Sequence, residues 1–106
     1  MLQDFSASNN SDVDGNPAGG SVSGVGLSIS WQNGPLGRGP DRIPPNGAFV
    51  ETVIAAAKQR IEYYNETKFR CRENSLAITH LDEALHWLNH RTADREARSV
   101  EGTHEQ

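Results

Sequence analysis

The sequence has few of the residues that hold a small fold together by covalent bonds or by a large apolar core. Its 106 residues include one cysteine and one methionine, and only 7% are aromatic. Cys71 therefore has no intramolecular disulfide partner, and paired-cysteine zinc ligands cannot be assembled around it. We expect Cys71 to be a small, buried, apolar side chain on a helix rather than a nucleophile.

Long apolar runs are lacking as well. No stretch approaches the ~20 apolar residues of a membrane-spanning helix, and the N-terminus has no basic region followed by an apolar core. The sequence therefore predicts a soluble, intracellular protein without a membrane partner.

An excess of positive charge is also absent, since the formal net charge is -4 and the pI is 5.5. Binding to duplex nucleic acid depends on neutralising many phosphates, so duplex nucleic acid is not an expected partner. A small anionic ligand in a local arginine pocket is compatible with this charge.

Apolar surface is scarce for a chain of this size. Hydrophobic residues make up 35% of the sequence, and the mean hydropathy is -0.66. A single domain of about 100 residues has little stability to spare once chain entropy is offset. We therefore expect one domain at most, stabilised by self-association.

The N-terminal quarter differs in composition from the rest. Residues 1–26 are rich in Ser, Asn, Gly and Asp, which predicts a flexible tail, with the folded domain over residues 27–106. Leu27, Ile29 and Trp31 then alternate with serines, which predicts a short β-strand or hairpin.

Two amphipathic helices are predicted in the rest of the chain. Asn46 is a candidate N-cap of the first helix, which should end near Asn65. Its apolar stripe consists of Val50, Ile54, Ala57, Ile61 and Tyr64. The second helix should continue until Gly102, with a seam of Cys71, Asn74, Ile78, Leu81, Leu85 and Leu88.

Stripes joined by so short a turn must pack as an antiparallel helical hairpin. The fold class is therefore mainly α: a two-helix hairpin with a short N-terminal β-strand or hairpin. Tyr63, Ala84 and Trp87 lie partly beside the narrow seams and leave apolar surface uncovered. A partner subunit is the natural cover, which predicts a homo-oligomer.

Arg91, Arg95 and Arg98 project from one side of the second helix by their i, i+4, i+7 spacing. One interpretation is a solvated face, in which Asp94 pairs with Arg91 and Arg98. The other is a phosphate site, because guanidinium groups bind phosphate oxygens bidentately.

The segment KFRCREN places Lys68, Arg70 and Arg72 around Phe69 at the tip of the hairpin. An exposed aromatic ring among cations could stack a base while the cations bind phosphates. Alternatively, Phe69 could cap the hairpin core.

Metal and catalytic motifs are weak. Glu83, His86 and His90 have helical metal-ligand spacing, but the first helix offers only Glu51 and Glu62 to complete a dimetal site. Thr79 and His80 are expected amid the seam. No Ser-His-Asp order or nucleophile elbow can be identified, so neither an enzyme, nor a bound metal, nor a cofactor is expected.

The segment FRCRENSLAITHLDEALHWLNHRTADREARSVEGTHEQ, with NGAFVETVIAAAKQRIEYY before it, resembles the hairpin domain of the first Thoeris anti-defence protein of bacteriophages. A more distant resemblance is to the phage cyclic-oligonucleotide sponges that oppose CBASS defence. The resemblance covers about residues 31–106, and CREN, EALHWL, RT-x-DR and VEGTH are its most specific segments.

This resemblance implies a non-enzymatic sponge acting in the cytoplasm of the infected bacterium. Family members sequester glycocyclic ADP-ribose signals, some also hold cyclic di- or trinucleotides in separate sites of a hexamer, and their pockets lie between protomers. A dimer or a hexamer is thus implied for this chain.

The resemblance also implies roles for individual residues. Phe69 would stack the adenine, and Arg72 of the matching Arg72-Glu73-Asn74 segment would contact phosphate or ribose. The implied ligand-binding set is Phe69, Arg72, Asn74, Thr79, Arg91, Arg95, Arg98, Gly102, Thr103 and His104, the last three in a tail that closes over a neighbour's ligand. Ser99 stands where the family is expected to have glycine, which could alter how that tail leaves the helix.

Three other functions compete with the sponge. A structural or adaptor hairpin would oligomerise and bind a protein but no nucleotide. A metal-dependent hydrolase would degrade the signal, and a nucleic-acid-binding regulator would show salt-dependent retention on DNA.

Overall fold

The computed structural model describes residues 1–37 and 39–97, with side chains described as far as residue 94. Two units are present, residues 1–49 and residues 50–97. The elements in chain order are β1 (Phe5–Ser11), β2 (Pro17–Gly24), β3 (Leu27–Ser30), a 3-10 turn (Gly39–Asp41), α1 (Val50–Asn65) and α2 (Arg72–Ala97).

The first unit is built on a three-stranded antiparallel sheet in the order β1-β2-β3. Val22 on β2 is paired with Ala7 on β1 and with Ile29 on β3. The β1–β2 register shifts between Asn9 and Ser11. Val22 and Ile29 are half-buried, whereas every residue of β1 is exposed. The sheet is thus larger than the predicted strand or hairpin.

Turn chemistry explains why residues 1–26 contain strands where composition predicted a flexible tail. The Asp12 carboxylate accepts hydrogen bonds from the backbone N–H groups of Asp14 and Asn16, both at 2.9 Å, and closes the β1–β2 turn. Gly26, with φ of +72°, ends the two-residue connection to β3. Strand pairing uses backbone groups that every residue carries, so low apolar content did not prevent it.

Asn46 is not the N-cap of α1, which begins four residues later at Val50. Its side chain accepts a hydrogen bond from the Asn33 N–H (2.8 Å) and donates one to the Asn33 carbonyl (3.1 Å). Its own N–H donates to the Gln32 side chain at 2.9 Å. Asn46 therefore closes the loop that follows β3, a contact across 13 residues that a local capping rule does not anticipate.

The second unit is the predicted antiparallel helical hairpin. α1 ends at Asn65, as predicted, and α2 is the longer helix. The predicted continuation of α2 to Gly102 falls outside the described residues. The predicted seam of α2 is confirmed, because all its members are half-buried: Cys71, Asn74, Ile78, Leu81, Leu85 and Leu88. Cys71 itself directly precedes the helix.

The seam of α1 differs from the prediction by one position. Ile54 and Ile61 are half-buried, but three predicted members are exposed: Val50, Ala57 and Tyr64. Val53 is half-buried as well, and the positions that follow the three exposed residues are half-buried too: Glu51, Lys58 and Asn65. Each of these three polar residues contacts α2: Glu51 with Arg91 (3.7 Å), Lys58 with Asp82 (2.5 Å) and Asn65 with Ser75 (3.1 Å). A stripe chosen by apolarity alone could not include these polar contacts.

Apolar side chains remain accessible along both helices, as predicted for Tyr63 and Trp87. Among the described residues none is fully buried, and the Trp87 side chain is 65% exposed. Val50, Ala57 and Tyr64 recur at seven-residue intervals and so form one line beside the seam. Such a line is typical of a helix that packs against a further helix.

In the described part of the chain, neither helix combines the length and the apolarity that crossing a bilayer requires.

The contact between Lys58 and Asp82 predicts a specific alkaline dependence of stability. The hydrogen bond that the Lys58 ammonium donates to the Asp82 carboxylate raises the pKa of Lys58 above its ordinary value of 10.5, and the negative charges of Asp82 and Glu62 add to the effect. A raised lysine pKa stabilises the fold fully below the ordinary value, and the contribution is lost as pH rises through the folded-state pKa. In urea unfolding, Lys58→Met should therefore have a lower free energy of unfolding than wild type at neutral pH. This difference should shrink in strong alkali.

Wild type and Lys58→Met share all other titrating groups. The difference between their free energies of unfolding therefore reports on Lys58 alone. A difference between wild type and Lys58→Met that stays constant from neutral pH through alkali would contradict a stabilising Lys58–Asp82 contact.

Candidate functional site

The turn between the helices is organised by Asn65, the last residue of α1. Its side-chain oxygen accepts a hydrogen bond from the Cys71 N–H (3.3 Å), and its carbonyl accepts one from Arg70 Nε (3.0 Å). Its amide nitrogen donates to the Ser75 hydroxyl at 3.1 Å. The side chain and the backbone carbonyl of Asn65 thus join the end of α1 to the start of α2 and hold the intervening residues in place.

Phe69 is presented to solvent by this turn. Its N–H donates to the Thr67 hydroxyl at 3.1 Å, and that hydroxyl donates to the Tyr64 carbonyl. The side chain is 69% exposed, which does not fit a residue that caps the hairpin core. The Lys68 ammonium lies 5.4 Å from the ring centroid, within cation–π range. The structure therefore offers an accessible aromatic face with a cation beside it.

The cations predicted around Phe69 have different surroundings. Arg70 is engaged by the Asn65 carbonyl and so stabilises the end of α1. Arg72 is exposed and is the first residue of α2, where backbone N–H groups and the helix dipole favour anions. Arg72 is the better placed of the two for an anionic ligand.

Asn74 and Thr79 lie on different sides of α2. Asn74 is half-buried in the seam, whereas Thr79 is exposed and its hydroxyl donates to the Ser75 carbonyl at 3.1 Å. The expectation that Thr79 and His80 lie amid the seam is therefore wrong. Thr79 follows Arg72 by seven residues, or about two helical turns, so these two side chains share a face.

Arg91 lies at the opposite end of the hairpin from Phe69. Its guanidinium Nη2 is 3.7 Å from the Glu51 carboxylate at the start of α1. The backbone of Arg95 belongs to α2, but its side chain is outside the described part. The other predicted C-terminal site residues lie outside the described residues altogether: Arg98, Gly102, Thr103 and His104, together with Ser99.

The two predicted clusters are far apart within one chain. Arg91 follows Arg72 by 19 residues in one continuous helix. At a rise of ~1.5 Å per residue this separation is about 28 Å. Ligand pockets of roughly 300–1,000 Å³ are only about 10 Å across. A small ligand therefore cannot contact both ends of the same hairpin.

The histidines predicted as weak metal candidates surround Trp87 instead. The rings of His86 and His90 meet the indole edge-to-face, with centroids 5.5 and 5.9 Å away. His80 lies 3.8 Å from Glu83 on the same helix. Within residues 1–37 and 39–94, no three His, Cys, Asp or Glu side chains are arranged to hold a metal ion. His86, Trp87 and His90 together form an exposed aromatic surface on α2.

Sequence reasoning missed the positioning residues of the site. The sequence predicts Asn65 only as the end of α1 and Glu51 only as a possible metal ligand. A detectable signal existed, because Glu51, Lys58 and Asn65 recur at seven-residue intervals and form a polar line on α1. Contacts from this line to α2 hold both ends of the hairpin.

The hairpin, with an exposed aromatic ring at its tip and Arg91 at its open end, lies largely within a segment that matches a known family model. Residues 26–93 match the family described as the Acb2/Tad1 hairpin domain, and the chain belongs to this family. It is similar to a particular phage protein, "Thoeris anti-defense 1" of Bacillus phage SBSphiJ7, at 57% identity over 60 residues. That match covers 57% of this chain and 42% of the relative, so the chain spans less than half of the relative's length. The resemblance seen in the sequence is confirmed.

Proposed function

We propose that this chain is a phage anti-defence protein that binds and sequesters cyclic nucleotide immune signals without degrading them. Its family membership and the name of its phage relative support an anti-defence role. The ligands proposed are glycocyclic ADP-ribose and, in separate sites, cyclic di- or trinucleotides. Each is an anion with a base that can stack, which suits an aromatic ring and arginines.

The observation that carries this proposal is the distance between the two polar ends of the hairpin. A single chain cannot bring Phe69 and the C-terminal arginines onto one ligand, because about 28 Å of helix separates them. A second copy, packed in the opposite direction, would place its arginine end beside the first copy's tip. The exposed line of Val50, Ala57 and Tyr64 and the exposed Trp87 supply apolar surface for such packing. A dimer or hexamer is therefore part of the binding mechanism.

In the proposed site Phe69 stacks the adenine base, with Lys68 beside the ring. Arg72 contacts phosphate or ribose at the start of α2, with Asn74 and Thr79 in the same two turns. Arg91, Arg95 and Arg98 hold phosphate groups through paired N–H donors. Gly102, Thr103 and His104 close over the ligand of a neighbouring subunit.

The proposed protein acts in the cytoplasm of the infected bacterium, where such signals are made. It needs no cofactor and no metal, since retention depends only on stacking and charge-assisted hydrogen bonds. An adaptor function is the second candidate, because the exposed surface around Trp87 could dock a protein partner instead.

The decisive experiment measures retention and release. Purified protein is incubated with both glycocyclic ADP-ribose isomers and with cyclic di- and trinucleotides, filtered, and the filtrate is chromatographed before and after heating. A sponge should deplete its ligand and return it intact on denaturation. Light scattering on the same sample should give a multiple of the 11.6 kDa chain mass.

Other outcomes have distinct meanings. New products in the filtrate would indicate an enzyme. An oligomer that retains no ligand would favour the adaptor, and a monomer that retains ligand would contradict sites shared between copies.

A further inference from the structure

Glu51 and Arg91 form an ion pair across the open end of the hairpin. Glu51 lies in the first turn of α1, where the helix dipole favours a carboxylate. Arg91 reaches it from α2, with 3.7 Å between Nη2 and the carboxylate oxygen. Their side chains are 36% and 59% exposed, respectively, so solvent and small anions can reach both groups.

This contact alters the charge that Arg91 presents. A guanidinium beside a carboxylate is partly neutralised, and its Nη2 already lies next to that carboxylate. An anion that approaches Arg91 must therefore compete with Glu51. The contact is long and exposed, so it can be displaced rather than permanent.

We propose that Glu51 is a specificity-determining residue that shields Arg91 from simple anions. An anion held only by Arg91 gains little when it displaces Glu51, because one charge contact replaces another. A ligand that is also held by a stacked base or by further arginines gains enough to displace the carboxylate. Glu51 thereby lowers the occupancy of the site by inorganic phosphates in favour of nucleotide ligands. The proposal rests on the phosphate-binding role of Arg91 in the proposed function.

The test uses phenylglyoxal, an arginine-specific reagent, with inorganic pyrophosphate as the competing anion. Modification of Arg91 is followed by peptide mass in the full-length protein. In Glu51→Gln, Arg91 should react faster, and pyrophosphate should protect it at a concentration lower by about twofold to fivefold, the range expected of an exposed ion pair. Glu62→Gln, the same change on the same helix at an exposed position, should leave both quantities unchanged.

Two results would overturn the proposal. Unchanged reactivity of Arg91 in Glu51→Gln would show that Glu51 does not shield it. Protection at an equal or higher pyrophosphate concentration would show that Glu51 does not compete with anions. If Glu51→Gln loses helical circular dichroism, Glu51→Asp, which withdraws the charge by one methylene, should shift both quantities in the same direction.

This test is separate from retention of the immune signal. Wild-type protein that retains no cyclic nucleotide would refute the proposed function. A faster reaction of Arg91 with protection at lower pyrophosphate would still support its shielding by Glu51.

Discussion

Arg95→Glu is expected to abolish retention of the nucleotide signal while leaving the oligomer intact. Under the proposed function, the substitution removes a bidentate phosphate donor and places a carboxylate where the ligand carries negative charge. Charge-assisted hydrogen bonds contribute about 1.5–3 kcal/mol, and repulsion adds to the loss, so affinity should fall at least ~100-fold. Filtration of protein with ligand measures retention, and light scattering measures the mass of the assembly.

The matched control is Arg42→Glu, which makes the same change in net charge at an exposed residue outside the two helices. Arg42 has no proposed contact with ligand and is not part of the exposed line of Val50, Ala57 and Tyr64. Retention by Arg95→Glu equal to that of Arg42→Glu would refute the role of Arg95. Loss of retention only together with loss of the oligomer would assign Arg95 to assembly.

Phe69→Ala is the second substitution with a large expected effect. Base–aromatic stacking contributes about 1–3 kcal/mol per base, so the affinity for the signal should fall roughly tenfold to a hundredfold. The side chain is mostly exposed and caps no core, so the helical signal and the thermal midpoint should change little. Titration calorimetry with wild type and variant measures the affinity directly.

Phe5→Ala is the matched control, because Phe5 is a similarly exposed phenylalanine (62%, against 69% for Phe69) that lies on β1. Phe69→Trp, which keeps an aromatic face, should bind nearly as well as wild type. Equal affinity of Phe69→Ala and wild type would exclude base stacking at this turn.

None of the described residues is fully buried, which supports the proposal that the hairpin gains its core by association with other copies. The hairpin has regular helices with polar contacts between them, yet its described seam residues are only half-buried. The side chains that face outward include Tyr64 and Trp87, whose burial would supply the missing stability. Association of hairpins would then create the core and, under the proposed function, the ligand sites together.

Much of the hairpin could be predicted from sequence. The end of α1 at Asn65 and the seam of α2 from Cys71 to Leu88 were predicted correctly from periodicity and turn residues. Helices are readable in this way because their hydrogen bonds and side-chain periodicity are local. The ring of Phe69 illustrates the opposite case, since sequence could not decide between a core cap and an exposed surface.

The N-terminal sheet and Asn46 were missed for a common reason. Both depend on hydrogen bonds between residues that are not close in sequence: Phe5 pairs with Gly24, and Asn46 bonds to Asn33. Composition and local capping rules consider only neighbouring residues, so they do not predict such partners. The Asp12 turn was the local clue that residues 1–26 form a hairpin.

The sequence by itself determined the helical hairpin, the set of cations and aromatic residues it carries, and its family resemblance. Only the tertiary structure decided which side of α1 faces α2, because that choice depends on Glu51, Lys58 and Asn65 finding partners on the other helix. It also decided that Phe69 is exposed and that Arg91 is shared with Glu51. Periodicity sets which side chains share a face, but contacts between elements decide what each face meets.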